Sequence, residues 1–306
     1  MVTMNFLQPS TASLSTIKVR KTIKNSGFVE GHGLHSGEKT RLIFHPAEEG
    51  TGIVFWRRNS PVSKLLIPAH PCHVMDTSLA TTIGLDGEYI QTIEHLMFAL
   101  FVLGITDIFL EMQGGREVPI LDGSARDFVA ILKSLEFHEL ESRLEAIQLQ
   151  KPVMVTDGNR YIVALPSNEF KISYTVDYPH PLLRSQTVEL IYEENLFQNK
   201  VASARTFGFL KDVEEMRRRG LALGGSLENA LVFTPDGVLN EMRFDQEAVY
   251  HKILDLVGDL SLVGRPISAH ILACRAGHAL DVAFTKKLLG QLGQETLMEA
   301  YPVFGV

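Results

Sequence analysis

Cysteine and basic residues are both scarce in this sequence of 306 residues. Its two cysteines, Cys72 and Cys274, are too few for a disulfide framework, and two lone thiols are typical of a reducing compartment. Lysine and arginine number 29 against 36 acidic residues, so the net charge is −7, whereas nucleic-acid-binding proteins usually carry a basic excess that neutralises phosphates. We therefore expect a cytoplasmic protein with no nucleic-acid partner.

Long apolar runs and several common motifs are also missing. The most hydrophobic stretch, residues 96–103, is far shorter than the ~20 residues that span a bilayer. Residues 1–17 contain no basic residue, which argues against a secretory signal. We expect no integral membrane segment, and a transient contact with a membrane surface stays open. The absence of HExxH, GxGxxG and Walker patterns disfavours a zinc peptidase and a nucleotide-binding loop.

The composition is that of a globular protein with a substantial core, since 45% of the residues are hydrophobic and 21% are charged. Period-two patterns predict short strands within residues 17–23, 42–44, 53–55, 107–112, 153–156, 161–165, 172–176, 188–191 and 267–274. Helical patterns predict helices at residues 92–103 with Thr92 as N-cap, at 124–135, at 210–218, at 246–264 with Asp245 as cap, and at 278–290.

The order helix, strand, helix occurs once in each half of the chain, and each first helix carries an early histidine. Duplication and convergence of pattern both explain this. A true repeat predicts an α+β fold of two similar layered α-β domains that pack face to face. We place the boundary in the charged segment 136–147, which gives domains 1–140 and 141–306. Residues 204–233 have no counterpart in the first half and are interpreted as an insert.

The helix predicted at 246–264 carries a polar stripe. His251, Asp255 and Asp259 follow each other at intervals of four residues, which places them within about 80° on one face. A histidine and an aspartate at this spacing often form only a surface pair. A third polar residue, the second carboxylate Asp259, on an otherwise apolar helix favours a buried polar site instead. Zinc binds histidine nitrogen and aspartate oxygen, and a catalytic zinc site needs a third protein ligand.

The helix predicted at 92–103 is apolar after its first turn, and His95 is the natural third ligand because a helix N-terminus disfavours the imidazolium form. Glu94 beside it could accept a proton from a metal-bound water. The alternative is that Glu94 caps the helix and His95 is a core histidine. His278 follows Gly277 and could act as a general acid or stabilise an anion, although a lone histidine at such a position more often has a structural role.

Seven motifs follow one another in a specific order: GHGLHSG (31–37), TIEHL (92–96), PILDGSA (119–125), ARTFGF (204–209), LALGGS (221–226), HKILDLVGD (251–259) and AGHAL (276–280). In this combination the chain resembles the zinc-dependent UDP-3-O-acyl-N-acetylglucosamine deacetylases of lipid A biosynthesis in Gram-negative bacteria. The resemblance implies two α-β layers, each with its own insert, and a site for one Zn²⁺ at their interface. It implies removal of acetate from an acylated UDP-GlcNAc substrate.

The resemblance also implies roles for individual residues. The zinc ligands would be His95, His251 and Asp255; the catalytic residues would be Glu94 as base, His278 as the group that stabilises or protonates, Asp259 behind it, and Thr206 at the oxyanion. Lys252 would face the polar head, Phe207 and Phe209 the sugar and acyl region, Tyr178 the uracil, and Arg160 would be a basic contact.

The insert at 204–233 has two interpretations. Small and apolar residues where strands are expected, including Ala222 and Ala230, could leave a passage for an alkyl chain, or the insert could be a solvated helix on a two-stranded ribbon. The resemblance favours the passage. We expect a monomer. The alternative to an enzyme is a catalytically inactive protein of the same fold that binds a sugar nucleotide or an acyl chain.

Overall fold

The computed structural model describes residues 17–58 and 65–291, so the expected loose tail at residues 1–15 lies outside the described part. The described residues of the first half, up to residue 134, form nine strands and two α-helices. They are β1 (Ile17–Ile23), β2 (Gly27–His32), β3 (Lys39–Pro46), β4 (Ile53–Arg57), β5 (Ile67–Pro68), β6 (Val74–Asp76), β7 (Thr82–Leu85), β8 (Glu88–Ile90), α1 (Glu94–Leu103), β9 (Ile108–Gly114) and α2 (Arg126–Ser134).

The second half, described as far as residue 291, forms nine strands and four α-helices. They are β10 (Phe137–Glu145), β11 (Ile147–Gln148), β12 (Val153–Asp157), β13 (Arg160–Pro166), β14 (Lys171–Val176), β15 (Gln186–Ile191), α3 (Glu194–Asn199), β16 (Phe207–Phe209), α4 (Leu210–Arg218), β17 (Leu231–Phe233), α5 (Glu247–Ser261), β18 (Ile267–Cys274) and α6 (His278–Leu289). This mixture of sheets and helices confirms the α+β fold.

The two large sheets share one topology. The first has the order β2-β3-β9-β4-β5 and the second has the order β12-β13-β18-β14-β15, with β11 added beside β18. In each sheet the middle strand runs parallel to one neighbour, and the other pairings along the sheet are antiparallel. The middle strand β9 lies between α1 and α2 in sequence, and the middle strand β18 lies between α5 and α6. The helix–strand–helix pattern therefore has the same position in both sheets.

The central helices α1 and α5 join the two layers. Every residue of α5 is buried, and so is every residue of α1 except Phe101. The helices approach closely at Gly258, where a Cβ atom would overlap the carbonyl oxygen of Glu94 and lie 2.9 Å from its carbonyl carbon. A glycine is therefore required for α1 to begin against this turn of α5. None of the described helices is long and apolar enough to cross a membrane.

Each half also carries an insert. A three-stranded sheet, β6-β7-β8, precedes α1, and the parallel pair of β16 and β17 flanks α4 in the second half. Outside the sheets, β1 and β10 form an antiparallel ribbon with an irregularity between Val19 and Lys21. At this point Arg20 turns inward and donates two hydrogen bonds to the buried Asp107, of 2.9 and 2.6 Å, which fixes the ribbon to the start of β9.

Three local predictions were wrong. Thr92 does not cap α1, because its φ is +59° and its hydroxyl donates to Glu117 instead. Asp245 does not cap α5, since Gln246 precedes the helix in a left-handed conformation without a side-chain cap. Residues 221–225, where a strand was expected, are a loop, and β17 pairs with β16 instead. The charged segment in which we place the domain boundary contains β10, whose exposed polar side chains reflect a two-stranded ribbon.

Candidate active site

Two helices bring His95, His251 and Asp255 together as predicted. His95 comes from the first turn of α1, and the other two lie one turn apart on α5. Their ligand atoms all lie within 4.8 Å of one another, and the three side chains are buried. Nε2 of His251 is 3.2 Å and Nε2 of His95 is 3.7 Å from Oδ1 of Asp255. This set has the donor atoms and the compactness of a metal site.

The hydrogen bonds around this ligand set leave Nε2 of His251 and Oδ1 of Asp255 free to bind a cation. Nδ1 of His251 donates a hydrogen bond of 3.0 Å to the carbonyl oxygen of Ala204, which leaves the lone pair on Nε2. Nζ of Lys252 donates to Oδ2 of Asp255 at 2.7 Å, while the buried Oδ1 has no hydrogen-bond partner among the described residues. Two lone pairs thus face each other, an arrangement that a metal ion between them would satisfy.

The charges of the cluster suit a cation as well. Burial lowers the pKa of His251 to about 4 in spite of the attraction of Asp255, so the ring is neutral and can bind a metal through nitrogen. Burial acts to raise the pKa of Asp255, but His251 and Lys252 hold it well below its usual range. The carboxylate is therefore ionised. A neutral imidazole and an ionised carboxylate are the protonation states that metal binding requires.

Glu94 lies beside this cluster and is buried. The backbone N–H of Thr81 donates to its Oε2 at 3.0 Å, and Oε1 lies 3.9 Å from Nε2 of His278. Burial raises the pKa of Glu94, with His278 and His95 acting in the opposite direction. A carboxylate with a raised pKa, one hydrogen bond and a position beside the metal ligands can exchange a proton with a water molecule.

His278 begins α6 and is held by Asp259 as predicted. Its Nδ1 donates a hydrogen bond of 2.8 Å to Oδ2 of Asp259, and the hydroxyl of Thr81 donates to Oδ1 of the same carboxylate at 2.5 Å. Although burial acts to lower the pKa of His278, the carboxylates of Asp259 and Glu94 raise it to about 10. The imidazole is therefore protonated at neutral pH, as a general acid or an electrostatic stabiliser must be.

The cluster opens into a cavity of about 510 Å³. The expected substrate contacts and several unpredicted residues share its wall, which is formed by Thr77, Ser78, Leu79, Arg160, Tyr178, Thr206, Phe207, Phe209, His251, Lys252, Asp255, Gly277, His278 and Ala279. The ring of Tyr178 lies 5.8 Å from that of Phe207 and 5.5 Å from that of Phe209, so the three aromatics form one wall. Arg160 is exposed at the edge and forms an ion pair with Asp157.

Ala222 and Ala230 do not line this cavity. Ala222 has a φ of +52° in the loop that meets the turn of residues 33–37, where Leu223 N–H donates to the carbonyl of His35. Ala230 directly precedes β17, whose first residue, Leu231, pairs with Phe207 of β16. The structure therefore places both alanines in the insert, outside the wall of the cavity itself.

Several contacts of the site could not be predicted from the sequence. Thr81 binds both Glu94 and Asp259, yet it lies in a loop whose residues show no periodicity. Ala204 and Gly123 lie in motifs that the sequence singled out, but each contributes a backbone carbonyl, which does not depend on side-chain identity. The carbonyl of Gly123 accepts the N–H of Thr206 at 2.8 Å. These contacts could be found only from the arrangement in space.

Comparison with known proteins gives one consistent family. Residues 20–290 match the family LpxC, UDP-3-O-acyl N-acetylglycosamine deacetylase. A UDP-3-O-acyl-N-acetylglucosamine deacetylase of Leptospira biflexa is 48% identical over 282 residues, which cover 91% of this chain and 92% of the relative. Proteins of the same name from Myxococcus xanthus and Thermodesulfovibrio yellowstonii are 44% and 42% identical, covering 88% and 92% of this chain and 86% and 96% of theirs.

Proposed function

The chain belongs to the UDP-3-O-acyl N-acetylglycosamine deacetylase family, and on this premise we propose that it hydrolyses the N-acetyl group of UDP-3-O-acyl-N-acetylglucosamine. The products are acetate and a UDP-3-O-acyl-glucosamine with a free amine, at the committed step of lipid A biosynthesis. One observation carries the proposal: a candidate metal-ligand set lies beside the buried carboxylate of Glu94 and the ring of His278, and His251, Asp255 and His278 open into one cavity. A protein that only bound the substrate would not need Glu94 there.

The residues of the site divide the reaction between them. His95, His251 and Asp255 would hold the metal, which supplies Lewis-acid polarisation of the acetamide carbonyl and of the attacking water. Glu94 takes the proton from the water as it attacks. His278, kept protonated by Asp259, stabilises the developing negative charge and can protonate the leaving amine. Thr206 lies in the cavity wall, where its hydroxyl can donate to the oxyanion.

Zinc is the metal that we propose for this site. Two imidazole nitrogens and one carboxylate oxygen are a ligand set of catalytic zinc, which keeps a further position open for water or substrate. The neutral His251 ring and the ionised Asp255 carboxylate are ready to bind it without further loss of protons.

The walls of the cavity suggest how the substrate lies. We propose that Tyr178 stacks on the uracil, that Phe207 and Phe209 contact the sugar and the start of the acyl chain, and that Lys252 faces the polar head. Arg160, at the exposed edge, is suited to the diphosphate charge. The acyl chain would continue into the insert at 204–233, past Ala230 and Ala222.

The remaining features of the proposal concern organisation and location. We propose two domains, of residues 1–140 and 141–306, with the metal site between α1 and α5. The chain would act as a monomer in the cytoplasm, where its free thiols Cys72 and Cys274 stay reduced. Contact with a membrane surface would be transient.

The test is acetate release from UDP-3-O-acyl-N-acetylglucosamine by the purified protein, with and without a chelator. We expect turnover that the chelator removes and added zinc restores. Glu94→Gln is the matched control, because it keeps the shape of the site and should bind substrate without turnover. Substrate binding with no acetate release by the metal-loaded wild type would favour the inactive binding protein instead.

A further inference from the structure

Asp281 carries a buried carboxyl group to which the proposed mechanism gives no role. It lies in the first turn of α6, its side chain is fully buried, and neither carboxylate oxygen has a hydrogen-bond partner among the described residues. Its neighbours are His278, the proposed general acid, and Asp259, which orients it. A carboxylate oxygen of Asp281, a carboxylate oxygen of Asp259 and a ring nitrogen of His278 all lie within 4.8 Å of one another. A buried carboxyl group that lacks donors is costly when it is ionised.

The two carboxyl groups differ in the donors that surround them. Asp259 accepts one hydrogen bond from His278 and one from the hydroxyl of Thr81, and both stabilise its ionised form. Asp281 accepts none. Because two buried carboxylates at this separation repel each other, one proton is retained by the pair, and it belongs on the group without donors.

We propose that Asp281 is a positioning residue that holds the proton shared by this pair and points its O–H toward Asp259. Asp259 and Asp281 together then carry a single negative charge beside His278. The Asp259 carboxylate accepts hydrogen bonds from His278, from Thr81 and, in this proposal, from Asp281. Asp281 acts through Asp259 and touches no reacting atom. This inference rests on the proposed function for its catalytic meaning, but the location of the proton does not depend on it.

The charged and titratable groups around Asp281 agree with this assignment. Burial, followed by the charge of Asp259, raises the pKa of Asp281 to about 7, although Lys252 and His278 act to lower it. Lys252 is committed to Asp255 through its hydrogen bond of 2.7 Å. The groups that face Asp281 are His278 of its own helix, Asp259, Asp255 and Lys252 of α5, and Tyr174 of β14.

The first experiment locates the proton without substrate. The infrared carbonyl stretch of a protonated carboxyl group is measured near pH 6 on the metal-loaded protein, where a carboxyl group with this surrounding stays protonated. The spectrum of Asp281→Asn is subtracted from that of the wild type, so that any band of Glu94, whose pKa burial also raises, cancels. We expect a carbonyl band in the difference spectrum, and a difference spectrum without this band would overturn the assignment.

The second experiment tests the positioning role. Asp281→Asn keeps an uncharged donor toward Asp259, so kcat should stay within about threefold of the wild type, whereas Asp281→Leu should lower kcat about tenfold with KM unchanged. Thr285→Val is the matched control: its hydroxyl donates to the backbone carbonyls of Asp281 at 2.8 Å and of Asp259 at 3.3 Å. The variant disturbs the same helical turns without altering either carboxyl group, so kcat should stay unchanged.

Three outcomes would overturn the positioning role: equal losses in both Asp281 variants, no loss in either, or the same loss in Thr285→Val. An infrared band that behaves as expected in a protein with no acetate release would instead contradict the proposed function and leave the proton assignment intact.

Discussion

Helices α1 and α5 hold equivalent places in two sheets of the same topology, yet they contribute differently to the site. In α1 the polar side chains stop after Glu94 and His95, and the remaining residues form core. In α5 polar residues continue over two turns, from His251 through Asp255 to Asp259. The comparison teaches that the repeated scaffold supplies position, while the asymmetry between its two central helices supplies the chemistry.

Removal of single ligands tests how unequal the two helices are. His95→Ala on α1 and His251→Ala or Asp255→Ala on α5 should each abolish stoichiometric metal binding and lower turnover by roughly 10³-fold or more, because Lewis-acid stabilisation contributes several kcal/mol. Metal analysis and acetate release measure both effects. His138→Ala, an exposed histidine on β10, is the control. Full metal content in all three ligand variants would refute the ligand set.

The two polar residues of α1 should separate binding from chemistry. Glu94→Gln preserves the size of the side chain and an acceptor for Thr81, but it cannot take a proton. We expect turnover to fall by roughly 10²–10⁴-fold while the metal content stays at the wild-type value. Steady-state kinetics on protein of measured metal content decide this. Turnover close to that of the wild type would show that another group is the base.

The contact between the helices can be strained directly. In Gly258→Ala the new methyl group would overlap the Glu94 carbonyl, so the helices must separate at a cost of about 1–3 kcal/mol in the free energy of unfolding. Turnover should fall as well, because Glu94 moves with the backbone. Gly290→Ala is the control, since its nearest neighbour would be 3.5 Å away. Equal denaturation midpoints for both variants would contradict the close approach.

The two inserts can be compared through the length of the acyl chain. Ala222→Trp and Ala230→Trp should each lower kcat/KM for a long-chain substrate about tenfold and leave a short-chain substrate nearly unaffected. Each buried methylene contributes about 0.8 kcal/mol, so the loss grows with chain length. Leu79 lines the cavity from the loop that joins β6 to β7 within the first-half insert, and Leu79→Trp should affect both substrates alike. Equal losses on both substrates would mean that the second insert is only structural.

Much of the fold and of the candidate site could be predicted from the sequence, because helices and strands with a regular hydrophobic pattern are the easiest elements to identify. The spacing of His251, Asp255 and Asp259 predicted one buried face, and α4 was predicted at its observed bounds. Contacts between distant segments left no such signal. Thr81 meets Asp259 across 178 residues, and the polar strand β10 is stabilised by backbone pairing with β1, so its composition resembles that of a linker. The three-residue strand β16 is too short for a pattern.

The pairing of β1 with β10 has a consequence for synthesis. Ile17 lies opposite Glu145, so the ribbon of the first half can close only when residue 145 has left the ribosome. At that stage the nascent chain holds a single metal ligand, His95, and one imidazole cannot retain an ion. We therefore expect metal uptake to follow translation of α5. Metal should be absent from chains arrested before residue 251 and present in released protein.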